Sequence, residues 1–169
     1  MRGQVLSTEI VLSITIFLAA MLVFLFAWNS ISDSYDVAQQ AREMEVALVG
    51  VSDALVLSPG DPADWEITSP ENASMMGLAK SQNILSPRKL LALQSLNSSY
   101  DIVRERMGAA QFQVFVSASY VGEDGPYASF GVPASEGGSG AISVSIDRLA
   151  MMEGRLAILK VQLWKTKGA

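Results

Sequence analysis

The chain has 169 residues with neither histidine nor cysteine. Thiol nucleophiles, imidazole general bases, histidine triads, disulfides and Cys/His zinc sites are therefore all beyond it. Carboxylate and hydroxyl chemistry remain. Asp101, Glu105, Asp147 and Glu153 are scattered along the sequence rather than paired, as a solvated helix or strand surface would have them. Asp61 and Asp64 flank Pro62, but no third ligand follows at calcium-loop spacing. Gly137-Gly138-Ser139-Gly140 is glycine-rich, yet no basic residue follows it, so it reads as a linker and not as a phosphate loop. Met75-Met76 and Met151-Met152 read as core filler rather than soft-metal ligands. Arg88-Lys89 is expected in the solvated first turn of a helix, against the helix dipole. No catalytic, cofactor-binding or metal residues are expected, and the chain is expected not to be an enzyme.

Two triplets could accept a modification instead. Asn72-Ala73-Ser74 and Asn97-Ser98-Ser99 both match the N-glycosylation sequon, which would act only on a segment exposed outside the cell. The net charge of −5, with no basic run able to track a phosphate backbone, argues against nucleic acid as a partner.

These residues need elements to position them, and the clearest element is apolar. Residues 10–28 read IVLSITIFLAAMLVFLFAW, without a charge and with only Ser13 and Thr15 polar. That length is close to the ~20 residues a helix needs to cross a hydrocarbon core. Trp28 closes the run where an amphipathic ring prefers the membrane interface. Arg2 precedes the span, whereas Asp33 and Asp36 follow it, so the positive-inside bias puts the N-terminus in the cytoplasm. Ala27-Trp28-Asn29 makes a poor site for an ordinary signal peptidase, which favours an uncleaved anchor embedded in membrane lipid.

The residues before the span carry a second signal. Met1-Arg2-Gly3-Gln4-Val5-Leu6-Ser7-Thr8-Glu9 resembles the class III signal of archaeal type IV pilin-like proteins: a short basic leader ending in Gly, then Gln, Ser and Glu before the apolar helix. One extra residue separates Gln4 from Ser7 compared with the family's usual spacing. The resemblance implies that a prepilin-type aspartyl peptidase cuts between Gly3 and Gln4 and leaves the helix in place. It also implies partners in other pilin-like subunits. Glu9 then has two readings. It is either a solvated carboxylate at the cytoplasmic interface or an assembly contact, drawn into a helix bundle and paired with a neighbour's N-terminal amine.

Beyond Trp28 the helical pattern continues. Ile31, Tyr35, Ala38, Ala41, Leu48, Val51 and Leu55 recur at three- and four-residue steps, up to Ser58-Pro59-Gly60-Asp61-Pro62. A continuous helix over residues 4–57 fits this pattern, as does a membrane helix hinged near Asn29-Ser30 to a soluble one. Residues 61–71 are loop-like, and 74–80 form a weak helix. Ser86-Pro87 opens another helix carrying Leu90, Leu91, Leu93 and Leu96, and 99–107 are helical up to Gly108. Strands follow at 112–120, at 127–132, through Ile142, Val144, Ile146 and Leu149, which alternate as inward residues, and at 156–164, with Glu153-Gly154 as a tight turn.

The expected fold is α+β: a long N-terminal helix, transmembrane in its first half, packed on a small antiparallel sheet. The expected divisions are a leader at 1–3, a transmembrane and assembly helix at 4–28, and an extracytoplasmic head at 29–169. Gly77-Leu78-Ala79, Leu85-Ser86-Pro87-Arg88-Lys89-Leu90, Tyr100, Arg148-Leu149, Glu153-Gly154 and Leu163-Trp164 are similar to archaeal membrane-anchored pilin-like proteins of unassigned role. The functional expectation is a structural subunit, major or minor, of a type IV pilus-like surface filament. The alternative is a stand-alone membrane-anchored surface or binding protein that does not polymerise. Either would cross the cell membrane once, with its head outside.

Overall fold

The computed structural model describes residues 2–67, 72–138 and 140–166, excepting the side chains of residues 2–8, 30, 32–34 and 36. The chain divides into two compact units, Met1–Gln40 and Ala41–Ala169. The first unit is helical throughout its described residues, and helix α1 (Arg2–Leu57) runs on into the second. The backbone is helical across Asn29-Ser30, and α1 ends just before Pro59, which cannot continue it.

The second unit is α+β. After α1 come β1 (Gly60–Asp61), β2 (Met75–Met76), β3 (Ala79–Ser81), β4 (Ile84–Leu85) and α2 (Pro87–Ser95). A 3-10 turn (Leu96–Ser99) leads into α3 (Tyr100–Arg106), followed by β5 (Gln113–Tyr120), β6 (Ala128–Gly131), β7 (Ala141–Met152) and β8 (Arg155–Thr166). Strands β1 and β2 pair with each other, and the other six form one sheet in the order β3-β4-β7-β8-β5-β6. This corrects the expected small antiparallel sheet. The sheet is mixed, because β4 runs parallel to β7 with Ile84 opposite Met151.

Alternation sets the inner face of the sheet. Val114, Val116, Ala118 and Tyr120 of β5 oppose Leu163, Val161, Leu159 and Ala157 of β8, and all are buried. The last turns of α1 add Met44, Leu48, Val51 and Leu55 to the same core. Each such large apolar side chain contributes on the order of 2 kcal/mol by leaving water. Earlier members of the expected stripe, Ile31, Tyr35 and Ala38, are exposed in the first unit. The β7–β8 hairpin turns through Glu153 and Gly154, with φ of 53° and 78°, the left-handed pair a two-residue turn requires.

Four further expectations are corrected. Residues 74–80 are not helical: they hold β2 and β3 on either side of Gly77. A Cβ on Gly77 would lie 2.2 Å from the Ser58 carbonyl oxygen and 2.4 Å from the Gly60 nitrogen, so close backbone packing overrides local propensity. Leu78 N–H donates to Leu55 O at 2.9 Å, pinning this segment to the end of α1. In β7 the inward row is Ile146, Arg148, Ala150 and Met152, which leaves Leu149 67% exposed on the outer face. Of the methionine pairs, Met76 and Met152 fill the core, whereas Met75 is half-buried and Met151 exposed. The expected loop at 61–71 includes one strand residue, Asp61, and its last four residues lie outside the described ones.

Candidate membrane anchor and the polar sites of the second unit

Glu9–Asn29 is a 21-residue helical segment of mean hydropathy 2.8, long and apolar enough to cross a membrane, and none of it is buried. Its large apolar side chains, from Ile10 to Trp28, are between 48% and 81% exposed. A water-soluble protein rarely leaves so large a continuous apolar surface bare. The few polar groups are handled locally. Thr15 Oγ1 donates to the Val11 carbonyl at 2.8 Å, the bond that lets a hydroxyl enter an apolar medium. Phe24 and Trp28 stack with ring centroids 6.1 Å apart at the segment's far end. Glu9 opens the segment and is exposed. Gly3 and Gln4 lie in the first turns of α1, and their side chains are outside the described ones.

The expected solvated Lys89 is instead buried, 4% exposed. Its ammonium donates to the carbonyls of Pro59 at 2.5 Å and Ala63 at 2.6 Å, and Glu66 Oε2 lies 4.0 Å away. Burial pushes its pKa below the ordinary lysine value, against the opposing pull of the Glu66 and Asp64 carboxylates. Lys89 lies against a cleft of about 620 Å3 together with Pro59, Ala63, Lys80 and Arg88. Two of its three protons are donated to carbonyls. The group fastens the 59–66 segment onto α2. Ser86 precedes Pro87 as expected, but its side chain caps nothing; its backbone N–H donates to Leu78 O at 2.8 Å.

The other polar residues also hold the fold. Ser74 Oγ donates to the Asp61 carboxylate at 2.5 Å, closing β1 on β2, while Asp64 is exposed. Among the described residues no three acidic groups converge to hold a metal. Asp101 pairs with Arg104 at 3.1 Å, and Tyr120 Oη donates to Glu153 at 2.9 Å. Glu105 and Asp147 are exposed.

Both sequon asparagines are exposed. Asn97 has a structural role as well, since its Oδ1 accepts the Gly131 N–H at 2.9 Å. Sequence reasoning missed this bond, the Lys89 site and the Tyr100 bridge. In that bridge Tyr100 Oη donates to Gln113 Oε1 and accepts the Val114 N–H, each at 2.8 Å. The one available signal was Lys89 itself, a cation placed against the dipole of its helix.

Compared with family models, curated proteins and solved structures, the chain matches none.

Proposed function

We propose that this chain is a membrane-anchored, non-enzymatic structural subunit of a type IV pilus-like surface filament. In this reading it is trimmed between Gly3 and Gln4 and held by its N-terminal helix, with the second unit outside the cell. The observation that carries the reading is the bare apolar segment Glu9–Asn29 at the start of a helix whose last turns belong to a packed α+β unit. Such a helix needs lipid, or the helices of other subunits, around its first half. The polar groups of the second unit support a structural role, because Lys89 and Asn97 are committed to holding backbone and Asp61 to the Ser74 hydroxyl.

The deciding experiment is mass spectrometry of the mature N-terminus beside a sheared-filament preparation. The reading expects a chain starting at Gln4, present both in membranes and in sheared filaments. An intact Met1 on the membrane-bound protein refutes the trimming. A trimmed chain confined to membranes leaves a stand-alone surface protein as the function.

A further inference from the structure

The cleft beside Lys89 has a use that holding the fold does not exhaust. Its volume of about 620 Å3 falls within the ~300–1,000 Å3 of small-molecule sites. Pro59, Ala63, Ala79 and Pro87 give it an apolar wall, and Lys80, Arg88 and Lys89 bring three cations to it. The chain carries a net charge of −5 and has only 12 basic residues, so this cleft is a local reversal of sign.

The charges on its walls differ in what they are free to do. Lys89 donates to the Pro59 and Ala63 carbonyls, and Glu66 Oε2, sealed from solvent 4.0 Å away, balances its charge. Glu153, the other acid of the cleft, accepts the Tyr120 hydroxyl. Lys80 and Arg88 are exposed, and neither forms an ion pair with another described residue. Arg104, Arg148 and Arg155, by contrast, are each paired with a carboxylate. The backbone adds to the two unspent cations. Ser86 to Lys89 line the cleft with the first turn of α2, the positive end of its dipole, and the Ser86 side chain caps none of the amide groups there. An oxyanion matches a guanidinium, an ammonium and uncapped amides together. A cationic ligand would meet two like charges for one carboxylate, and a neutral one would leave both cations unmatched.

We propose that this cleft binds a small organic anion, its carboxylate or phosphate head held by Lys80 and Arg88 and its apolar body against Pro59, Ala63 and Pro87. The site serves a filament subunit and a stand-alone surface protein alike, so it stands or falls apart from the filament reading.

Phenyl phosphate carries such a head and body, whereas inorganic phosphate is the head alone and phenol the body alone. Titration calorimetry of the full-length chain in non-ionic detergent should show saturable binding of phenyl phosphate. It should be several-fold tighter than that of inorganic phosphate, with no binding of phenol. Arg88→Gln and Lys80→Gln should each weaken it several-fold without moving the thermal midpoint, because both side chains are exposed and unpaired. Lys160→Gln, which removes an exposed cation from β8, should leave it unchanged. Glu153→Gln keeps an acceptor for Tyr120 and takes a negative charge from the cleft, so it should tighten binding. Absence of saturable binding overturns the site. Equal weakening by Lys160→Gln overturns it too, since the affinity then belongs to overall charge. Phenol binding as tightly as phenyl phosphate refutes the anion and leaves only an apolar hollow.

Discussion

Arg148, on the inward row of β7, reaches across to the last turns of α1 and binds Asp53. Its Nη2 meets Asp53 Oδ1, while Nε and Nη2 also donate to Ser52 Oγ at 3.2 and 3.1 Å. Ser52 is fully buried, and Asp53 lies at the margin. One guanidinium thus joins a helix to a strand 95 residues further along the chain.

Arg148→Met keeps the apolar stem and removes these bonds. Because the ion pair is partly exposed, the loss should be modest, about 1–2 kcal/mol. That corresponds to a fall of roughly 3–8 °C in thermal midpoint, read by circular dichroism on the full chain in detergent. An unchanged midpoint would mean that the bonds are made at no net gain over water.

Lys89 should be more sensitive. Lys89→Ala leaves the Pro59 and Ala63 carbonyls unpaired and Glu66 without its cation, and should cost about 3–4 kcal/mol. Lys89→Met keeps the packing of the stem and should recover part of that. Equal melting of the two variants would assign the whole effect to the polar contacts.

Tyr100 sets an alkaline limit. Burial raises its pKa above the ordinary value, outweighing the Val114 hydrogen bond and the Arg104 charge. The folded state therefore keeps the phenolic proton at a pH where the unfolded chain releases it. This stabilisation is complete below the unfolded pKa of about 10 and is lost as pH climbs through the folded one. Melting between pH 9 and 12 should show a decline that is shallower in Tyr100→Phe, which itself starts lower by about 1 kcal/mol for the unpaired Val114 N–H.

Glu9→Ala separates anchoring from assembly. The apolar segment is long enough to hold the chain in lipid whatever occupies position 9, so membrane extraction profiles should not change. If the carboxylate pairs with a neighbour's amine inside a helix bundle, the variant should enter sheared filaments poorly while still being made and trimmed. Incorporation equal to wild type would reduce Glu9 to an interfacial charge.

What the sequence made legible follows how local each signal is. The apolar run at 10–28 needs no partner to declare itself, and Glu153-Gly154 dictates its turn through backbone conformation alone. The α1 stripe was legible at Leu48, Val51 and Leu55, and Met44, one turn before Leu48 on the same face, is buried with them. Leu149 was misplaced because apolar character does not reveal strand phase: Arg148 takes the inward row by finding Asp53 and Ser52. Residues 74–80 were misread since their conformation is imposed by Ser58 and Gly60, more than a dozen residues earlier. Lys89 was hidden for the same reason, its carbonyl partners lying 26 and 30 residues upstream. Long-range satisfaction of polar groups leaves no periodic trace.

The bond from Gly131 N–H to Asn97 carries a consequence for how such chains crowd together. Strand β6 is an outer strand of the six-stranded sheet, and an unspent backbone donor there invites a foreign strand to add itself and start a fibril. Asn97 spends that donor within the chain, and at the other margin β3 is only three residues long with Lys80 exposed at its middle. Both margins of the sheet are thereby blunted against the edge-to-edge pairing that starts cross-β aggregation.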